Sequence, residues 1–566
     1  MYFQKIKIQI EKILNYKYSD IQINLQTEYI EEDFDFFLSL FQYKDKMQKS
    51  LLDIFEDFKN QLYLNKLIEK VFFLNGFLNI KLNRKMLIDN FFVKNKKSID
   101  EYLKKQNNYK KVIILDYSSP NIAKNFSIGH LRSTMIGNAL KNVYKKLGFK
   151  TISINHLGDW GTQFGKMILA YKKWAKEENI LKNPIDELQR VYILFHEEAK
   201  KDNSLEEKAR EIFFHLEKKD KEITDLWKWL KKISLKEFKR IYNLLGVKFD
   251  YFIGESFFHN KAIKLLKELK KKKMLVLDNQ AYIMDLGNNI LPALIQKKNT
   301  STLYLTRDIA CVLYRYKKFG FYKCLYIVGN EQKLHYQQLN LIVKKIGYDN
   351  LKLEHINFGL VFFQNMKIAT RKSNDFKLID IIKQTQNESK KIIKKRFLDK
   401  KKINAISLKI AVGSIVFNDL KNDRSLNIEF NLQKMLQFEG NTGPYLQYTS
   451  VRFRSILKKV ENINNYDLNS LKMNNYYLQF HYYKLIRLMD NFFLILEKVK
   501  NKNMPSFLAR YLFQLAKNAN HFYAKERILN KENLFLQNAN IFLIKNFLNV
   551  FEEGLNILGI PVLEEM

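Results

Sequence analysis

Two short apolar runs, Val112-Ile113-Ile114-Leu115 and Thr151-Ile152-Ser153-Ile154, each give way to a turn-rich block. The first block is Ser118-Ser119-Pro120-Asn121-Ile122-Ala123-Lys124-Asn125-Phe126-Ser127-Ile128-Gly129-His130-Leu131-Arg132-Ser133, and it runs into a helical pattern, Met135-Ile136-Gly137-Asn138-Ala139-Leu140. The second is Asn155-His156-Leu157-Gly158-Asp159-Trp160-Gly161-Thr162-Gln163-Phe164-Gly165. Their separation is that of a βαβ unit. Nothing else in the chain constrains the fold as tightly. Strand, tight turn and helix in that order predict an open α/β sheet with a ligand beyond the carboxyl end of the strand. The helix N-terminus offers unpaired N–H groups to phosphate, Gly129 lets adenine or ribose approach the backbone, and His130 can donate a hydrogen bond to charge developing on a phosphate. The Ile-Gly-His triplet alone fits a satisfied histidine at a helix start equally well. The full block is what points to a nucleotide.

At 566 residues the chain is too long for one core, and two to four domains are expected. A hydrophobic content of 46% is ample for packing. No long uncharged apolar run suggests a membrane span, and Met1 to Lys7 mixes apolar and charged residues without a signal-peptide core, so a cytoplasmic enzyme is expected. Cys311 and Cys324 cannot build a Cys-rich zinc site, and neither zinc nor a structural disulfide is expected. The net charge of +38 fits a polyanionic partner. It also fits the composition bias of AT-rich genomes, since Lys, Asn, Ile, Phe and Tyr abound while Gly, Ala and Pro are scarce. On that account most of the lysine excess is drift.

The pattern divides the chain. Residues 1–105 mix helical spacing (Ile6, Ile10, Ile13, Leu14) with a strand, Leu78 to Leu82, preceded by the turn signal Asn75-Gly76. Residues 106–380 alternate strands and helices as a doubly wound parallel sheet requires, with a charged helical insertion at about 171–250. Further strands are expected at Ala281 to Met284, Cys324 to Val328 and Phe358 to Phe362. Residues 381–440 read as a helical connector carrying a basic run, Lys390 to Arg396, and 441–566 as a helix bundle.

The two blocks together resemble the signatures of the class I aminoacyl-tRNA synthetases, specifically the arginyl-tRNA synthetases. Asn441 to Tyr448, Pro505 to Ala516 and the closing Leu558-Gly559-Ile560-Pro561 resemble that family's helical domain. The resemblance runs from about residue 108 to the end. It implies a Rossmann-like catalytic domain, an N-terminal α+β domain that contacts tRNA, and a C-terminal all-α anticodon-binding bundle. The implied reaction is ATP-dependent activation of L-arginine, with Mg2+, followed by transfer to the 3′ end of tRNA(Arg). A monomer is expected. A catalytically weakened RNA-binding paralogue is the alternative, motivated by Ser127, which stands where the family usually has histidine.

The same resemblance assigns roles. Gly129, His130, Asn155, His156, Gly158 and Asp159 line the ATP end, and Lys124 meets phosphate. Ser127 can donate a hydrogen bond but carries no positive charge. The mobile loop falls at Met366 to Ser373. Thr370 and Arg371 sit as in the family, and either Lys367 or Lys372 supplies its charge, Lys367 being favoured. Arginine needs carboxylates and planar acceptors to meet a rigid fork of donors. Asp116, Asn121, Tyr304, Asp308 and Gln332 are the expected set. By themselves Tyr304 and Asp308 read as a core aromatic and a helix N-cap. The surrounding Thr306-Arg307-Asp308-Ile309-Ala310 moves the reading to recognition.

Overall fold

The computed structural model describes residues 2–16, 23–26, 32–63, 65–88, 91, 101, 103–104, 106–287, 290–297, 303–363, 366–367, 377–394, 399–460 and 475–566. Five parallel strands form the central sheet, in the order Lys352–Phe358, Lys323–Gly329, Val112–Asp116, Lys150–Asn155, Tyr251–Phe252. From Val112–Asp116 the chain winds first to one side and later to the other. A crevice therefore opens beyond Asp116, where ligands of such sheets bind. The apolar run of this strand is explained by burial on both faces. Ile113 and Leu115 join the core cluster on one side and Ile114 the cluster on the other. The signature helix, Ile128–Lys146, covers the first face with Leu131, Met135, Ala139 and Val143. Helices His259–Lys271, Tyr304–Phe319 and Lys333–Lys345 cover the second with Leu265, Ile309, Val312 and Ile342.

The insertion is helical, as its charge and spacing predict, and ends in the 24-residue helix Lys221–Leu244. Two strand expectations are corrected. Ala281–Met284 lies outside the parallel sheet, in a separate antiparallel sheet with Val276–Asp278 and Ala293–Gln296. The reason is local: Asn279 and Gln280 both take positive φ (46° and 65°), which closes a two-residue hairpin. The run Phe358 to Phe362 is broken at Gly359. One strand ends at Phe358, and Val361–Phe363 begins another sheet, beside Ile428–Phe430. A side chain at Gly359 would lie 2.5 Å from the Leu426 carbonyl oxygen, so glycine permits the crossing.

The N-terminal unit has helix Tyr2–Tyr16 and a three-stranded antiparallel sheet. Asn75-Gly76 closes the hairpin of Ile68–Leu74 and Phe77–Leu82, with φ of 50° and 82°. This unit docks on helix Phe480–Asp490 of the C-terminal bundle. The Asp490 carboxylate accepts from the N–H groups of Tyr2 (2.9 Å) and Phe3 (3.0 Å), at the positive end of the first helix. The hydroxyl of Tyr483 donates to Asp35 Oδ1 at 2.6 Å, and the buried Arg487 guanidinium lies 4.1 Å from the ring of Phe3.

Helix Lys400–Leu420 is long and apolar enough to cross a membrane, but 72% of its apolar window is buried inside the fold. It packs on Gly443–Lys458, where a Cβ at Gly443 would meet the Gly413 carbonyl oxygen at 2.4 Å. The last helix, Leu534–Leu558, and its tail return to the catalytic unit. Asn142 Nδ2 donates to the Ile557 carbonyl at 3.1 Å, and Gly559 sits against Met135 and Asn138. The signature helix thus carries the first turn-rich block at one end and the C-terminal bundle along its flank.

Candidate active site

The two turn-rich blocks touch. Asn121 pairs with Gly158 as a parallel bridge, Ile122 N–H donates to the Gly158 carbonyl (3.2 Å), and Gly158 N–H donates to the Pro120 carbonyl (3.2 Å). A Cβ on Gly158 would fall 1.8 Å from Asn121 Oδ1, so any larger residue there would displace the Asn121 side chain. Beyond the strand the backbone is strained. Ser118, Ser119 and Ala123 all take positive φ (73°, 46° and 61°). The strain is held by hydrogen bonds. Ser133 Oγ accepts from Ser118 N–H at 2.8 Å, Ser118 Oγ lies 2.7 Å from the Tyr242 hydroxyl, and Ala123 N–H donates to Ser234 Oγ at 2.8 Å. Tyr242 and Ser234 belong to the insertion helix, so the insertion braces the strained turn.

Ser127 is the N-cap of the signature helix. Its N–H donates to His130 Nδ1 at 3.1 Å, and its Oγ is also 3.1 Å from that atom. Nδ1 is therefore an acceptor, and the neutral ring carries its proton on Nε2. Burial, with the nearby Lys124 charge, pushes the His130 pKa down to about 4. At neutral pH the ring is an uncharged donor through Nε2–H. Lys124 Nζ lies 4.8 Å from the ring centre of Tyr192. At Gly129 the nearest atom to an added Cβ would be Ser127 Oγ at 3.5 Å, so the space over the helix start is open.

Asp308 lies in helix Tyr304–Phe319. Its Oδ2 accepts from His335 Nε2 at 2.7 Å, and its Oδ1 is 4.0 Å from His156 Nε2. The hydrogen bond and positive field of His335 outweigh burial and hold the carboxyl below its ordinary pKa. His156 stacks on Phe258, and neither of its ring nitrogens has a partner among the described residues. Tyr304, one turn before Asp308, is half exposed and faces the turn at Gly161. Gln332 is exposed at the start of helix Lys333–Lys345. Asn155 is buried and donates to the Tyr242 hydroxyl at 2.7 Å, with its Oδ1 unpartnered among the described residues.

Two of the expected carboxylates are already engaged within the protein. Asp116 Oδ2 is 2.6 Å from a guanidinium nitrogen of buried Arg315, and its Oδ1 accepts from Ser119 Oγ at 3.0 Å. Asp159 is fully buried. It pairs with Lys231 at 2.6 Å and accepts from Ser256 N–H and Oγ, both at 2.8 Å. Both charges are matched before any substrate arrives.

The catalytic-domain model of the class I tRNA synthetases (R) matches residues 92–432, and a DALR anticodon-binding domain model matches 446–566. The arginine–tRNA ligase of an Exiguobacterium species is 38% identical over 93% of this chain and 92% of its own length. That of Clostridium botulinum is 38% identical over 94% of each. The chain belongs to the arginyl-tRNA synthetase family. Its fold follows the arginyl-tRNA synthetase of Plasmodium falciparum with a TM-score of 0.79 and 25% identity, over all of this chain and 99% of that one. The Thermus thermophilus enzyme has the same TM-score at 19% identity, over the whole of both chains.

Within this family frame, the sequence reading missed several partners. Arg315, Lys231, Tyr242 and Ser234 are single residues on helices, with no local mark of their use. Glu255 lies just after the insertion, in Gly254-Glu255-Ser256. It pairs with Arg307 at 3.0 Å, yet burial outruns that pull and raises its pKa to about 8. Lys367 lies in the short strand Met366–Lys367. Thr370, Arg371 and Lys372 fall outside the described residues.

Proposed function

We infer that this chain is an arginine–tRNA ligase, which activates L-arginine with ATP and passes it to the terminal adenosine of tRNA(Arg). The observation that supports the site assignment is a charged Asp308 held by His335 through Oδ2, with Oδ1 facing His156 of the second turn-rich block, while Ser127 fixes the tautomer of His130 at the start of the signature helix. The first step displaces pyrophosphate from the α-phosphorus, so orientation and charge neutralisation supply most of the catalysis. ATP enters as its magnesium complex. Its phosphates lie against the N-terminus of the signature helix, with His130 Nε2–H donating to charge that grows in the transition state and Lys124 adding positive field. Gly129 leaves room for the nucleoside, while Asn155 and Gly158 shape its edge. The guanidinium is received by Asp308 and His156 beside Tyr304, with Asn121 and Gln332 at the rim.

Asp116 and Asp159 act at one remove in this reading. The first steadies Arg315 under the strand end, and the second ties the insertion to the turn. Lys367, with Thr370, Arg371 and Lys372, is assigned to the phosphate-closing loop. Residues 1–105 contact the outer part of the tRNA and 441–566 the anticodon arm. Ser127, which motivated the alternative of a weakened paralogue, caps the helix and holds His130, so it supports turnover. The test is direct: purified chain with ATP, magnesium, arginine and tRNA(Arg) forms arginyl-tRNA. Failure to charge that tRNA under conditions where the protein is folded would overturn the reading.

A further inference from the structure

Asp308 is gripped by a histidine for which the chemistry of activation has no need. We propose that His335 is a positioning residue for amino-acid recognition, orienting the Asp308 carboxylate so that Oδ1 faces the substrate guanidinium. The proposal rests on the assignment of Asp308 to the arginine pocket.

An aspartate carboxylate turns about a broad, nearly two-fold torsion, so alone it would present its oxygens in many planes. His335 removes that freedom. A carboxylate only accepts, so the 2.7 Å contact has His335 Nε2–H as donor to Oδ2. His335 is itself seated in a ring stack. Tyr336 meets it edge-on at 5.2 Å and lies 4.8 Å from His355, nearly parallel at 28°. His355 Nε2 in turn lies 3.0 Å from the carbonyl of Val328 on the neighbouring strand. The grip on Asp308 is thus anchored to the sheet.

Across the recess, Oδ1 is 4.0 Å from His156 Nε2, beyond hydrogen-bond reach. Both ring nitrogens of His156 are buried and lack hydrogen-bond partners among the described residues. Buried polar groups with unmet capacity mark a place where a ligand group belongs. A guanidinium presents several donors in one plane, so it can reach Oδ1 while another of its edges lies against the His156 ring. A lysine ammonium has the charge but not the fork. Fixing the carboxylate plane is what turns attraction for any cation into preference for a planar one.

The test uses the full chain in steady-state tRNA charging, with arginine and ATP varied separately. His335→Ala is expected to raise the KM for arginine roughly 10- to 100-fold, the range for losing a hydrogen bond to a charged group. The KM for ATP and kcat should stay near wild type. His335→Gln keeps a side-chain N–H donor and should recover most of the loss. An unchanged arginine KM in His335→Ala, an equal rise for both substrates, or no recovery in His335→Gln would each overturn the proposal. Asp308→Asn is run in parallel. If it leaves the arginine KM intact, the pocket assignment fails and the proposal with it. If Asp308→Asn is defective while His335→Ala is not, the pocket stands and only the proposal fails.

Discussion

Replacing His130 by alanine removes a ring donor at the helix start. The expected loss in kcat is about 100-fold, typical of deleting one preorganised donor; unchanged single-turnover transfer would take His130 out of the mechanism. The same residue sets a pH signature. Its folded pKa, about 4, is depressed from 6.5. In that window the unfolded chain binds the extra proton, so stability falls as pH drops from 6.5 towards 4. The slope from this one group is at most about 1.4 kcal/mol per pH unit. Urea titrations of wild type and His130→Asn should differ by such a slope, and parallel curves would refute it. For the amino acid, Asp308→Asn should weaken arginine binding by about 1.5–3 kcal/mol, the cost of a lost charged hydrogen bond at a partly accessible site. Equilibrium dialysis with labelled arginine reads it. At this scale the motif words named residue types correctly but not their loyalties. Asp116 and Asp159 are carboxylates near the site, and only the fold reveals that Arg315 and Lys231 hold them.

The signature helix is the element on which the molecule converges. Arg132, its fifth residue, is fully buried. It pairs with Asp419 of helix Lys400–Leu420 at 2.9 Å and donates to the carbonyls of Gly359 (2.9 Å) and Leu426 (2.8 Å). Removing Arg132 strands Asp419, whose pKa burial already raises. Arg132→Met should cost about 3–5 kcal/mol, whereas Arg132→Met with Asp419→Leu should recover much of it, since apolar replacement of a buried pair is often neutral. Denaturant unfolding of the four-member cycle checks this, and additive losses would mean the two side chains act independently. Elements with local signals were readable. Asn75-Gly76 announces its hairpin, and the spacing of Ile6, Ile10 and Leu14 announces the first helix. The strand at Ala281 was located but its sheet was not, and the run at Phe358 is split, because partners there are decided by tight turns and a glycine crossing.

Over the whole molecule, the surplus of positive charge invites a salt experiment. If most lysines are drift, affinity for non-cognate RNA should be high at low salt and fall steeply as counterion release loses its force. Preference for tRNA(Arg) should then grow with salt, because base contacts depend on it less than phosphate contacts do. Filter binding of cognate and non-cognate tRNA across a salt series measures this, and a constant preference would sink the drift account. The three parts of the chain are not separable beads. Asp490 and Tyr483 of the bundle hold the N-terminal unit, while Asn142 and Gly559 join the last helix to the signature helix. A truncation after residue 440 would therefore strip a packed flank from the signature helix as well as the segment that matches the anticodon-binding domain model.

Local structure, written in contiguous residues, was determined by the sequence: the parallel α/β sheet, the helical insertion and bundle, and the family. Such features rest on backbone geometry and short-range spacing, so a few neighbouring residues suffice to specify them. Pairing across hundreds of residues was decided by the tertiary structure alone. It alone determines that Ser127 fixes the His130 tautomer, that Arg315 claims Asp116, and that His335 holds one oxygen of Asp308 while the other faces His156. The physical reason is that a side chain's charge and hydrogen-bonding capacity depend on what packs against it. That neighbour is set by the folded core, not by the residues beside it in the chain.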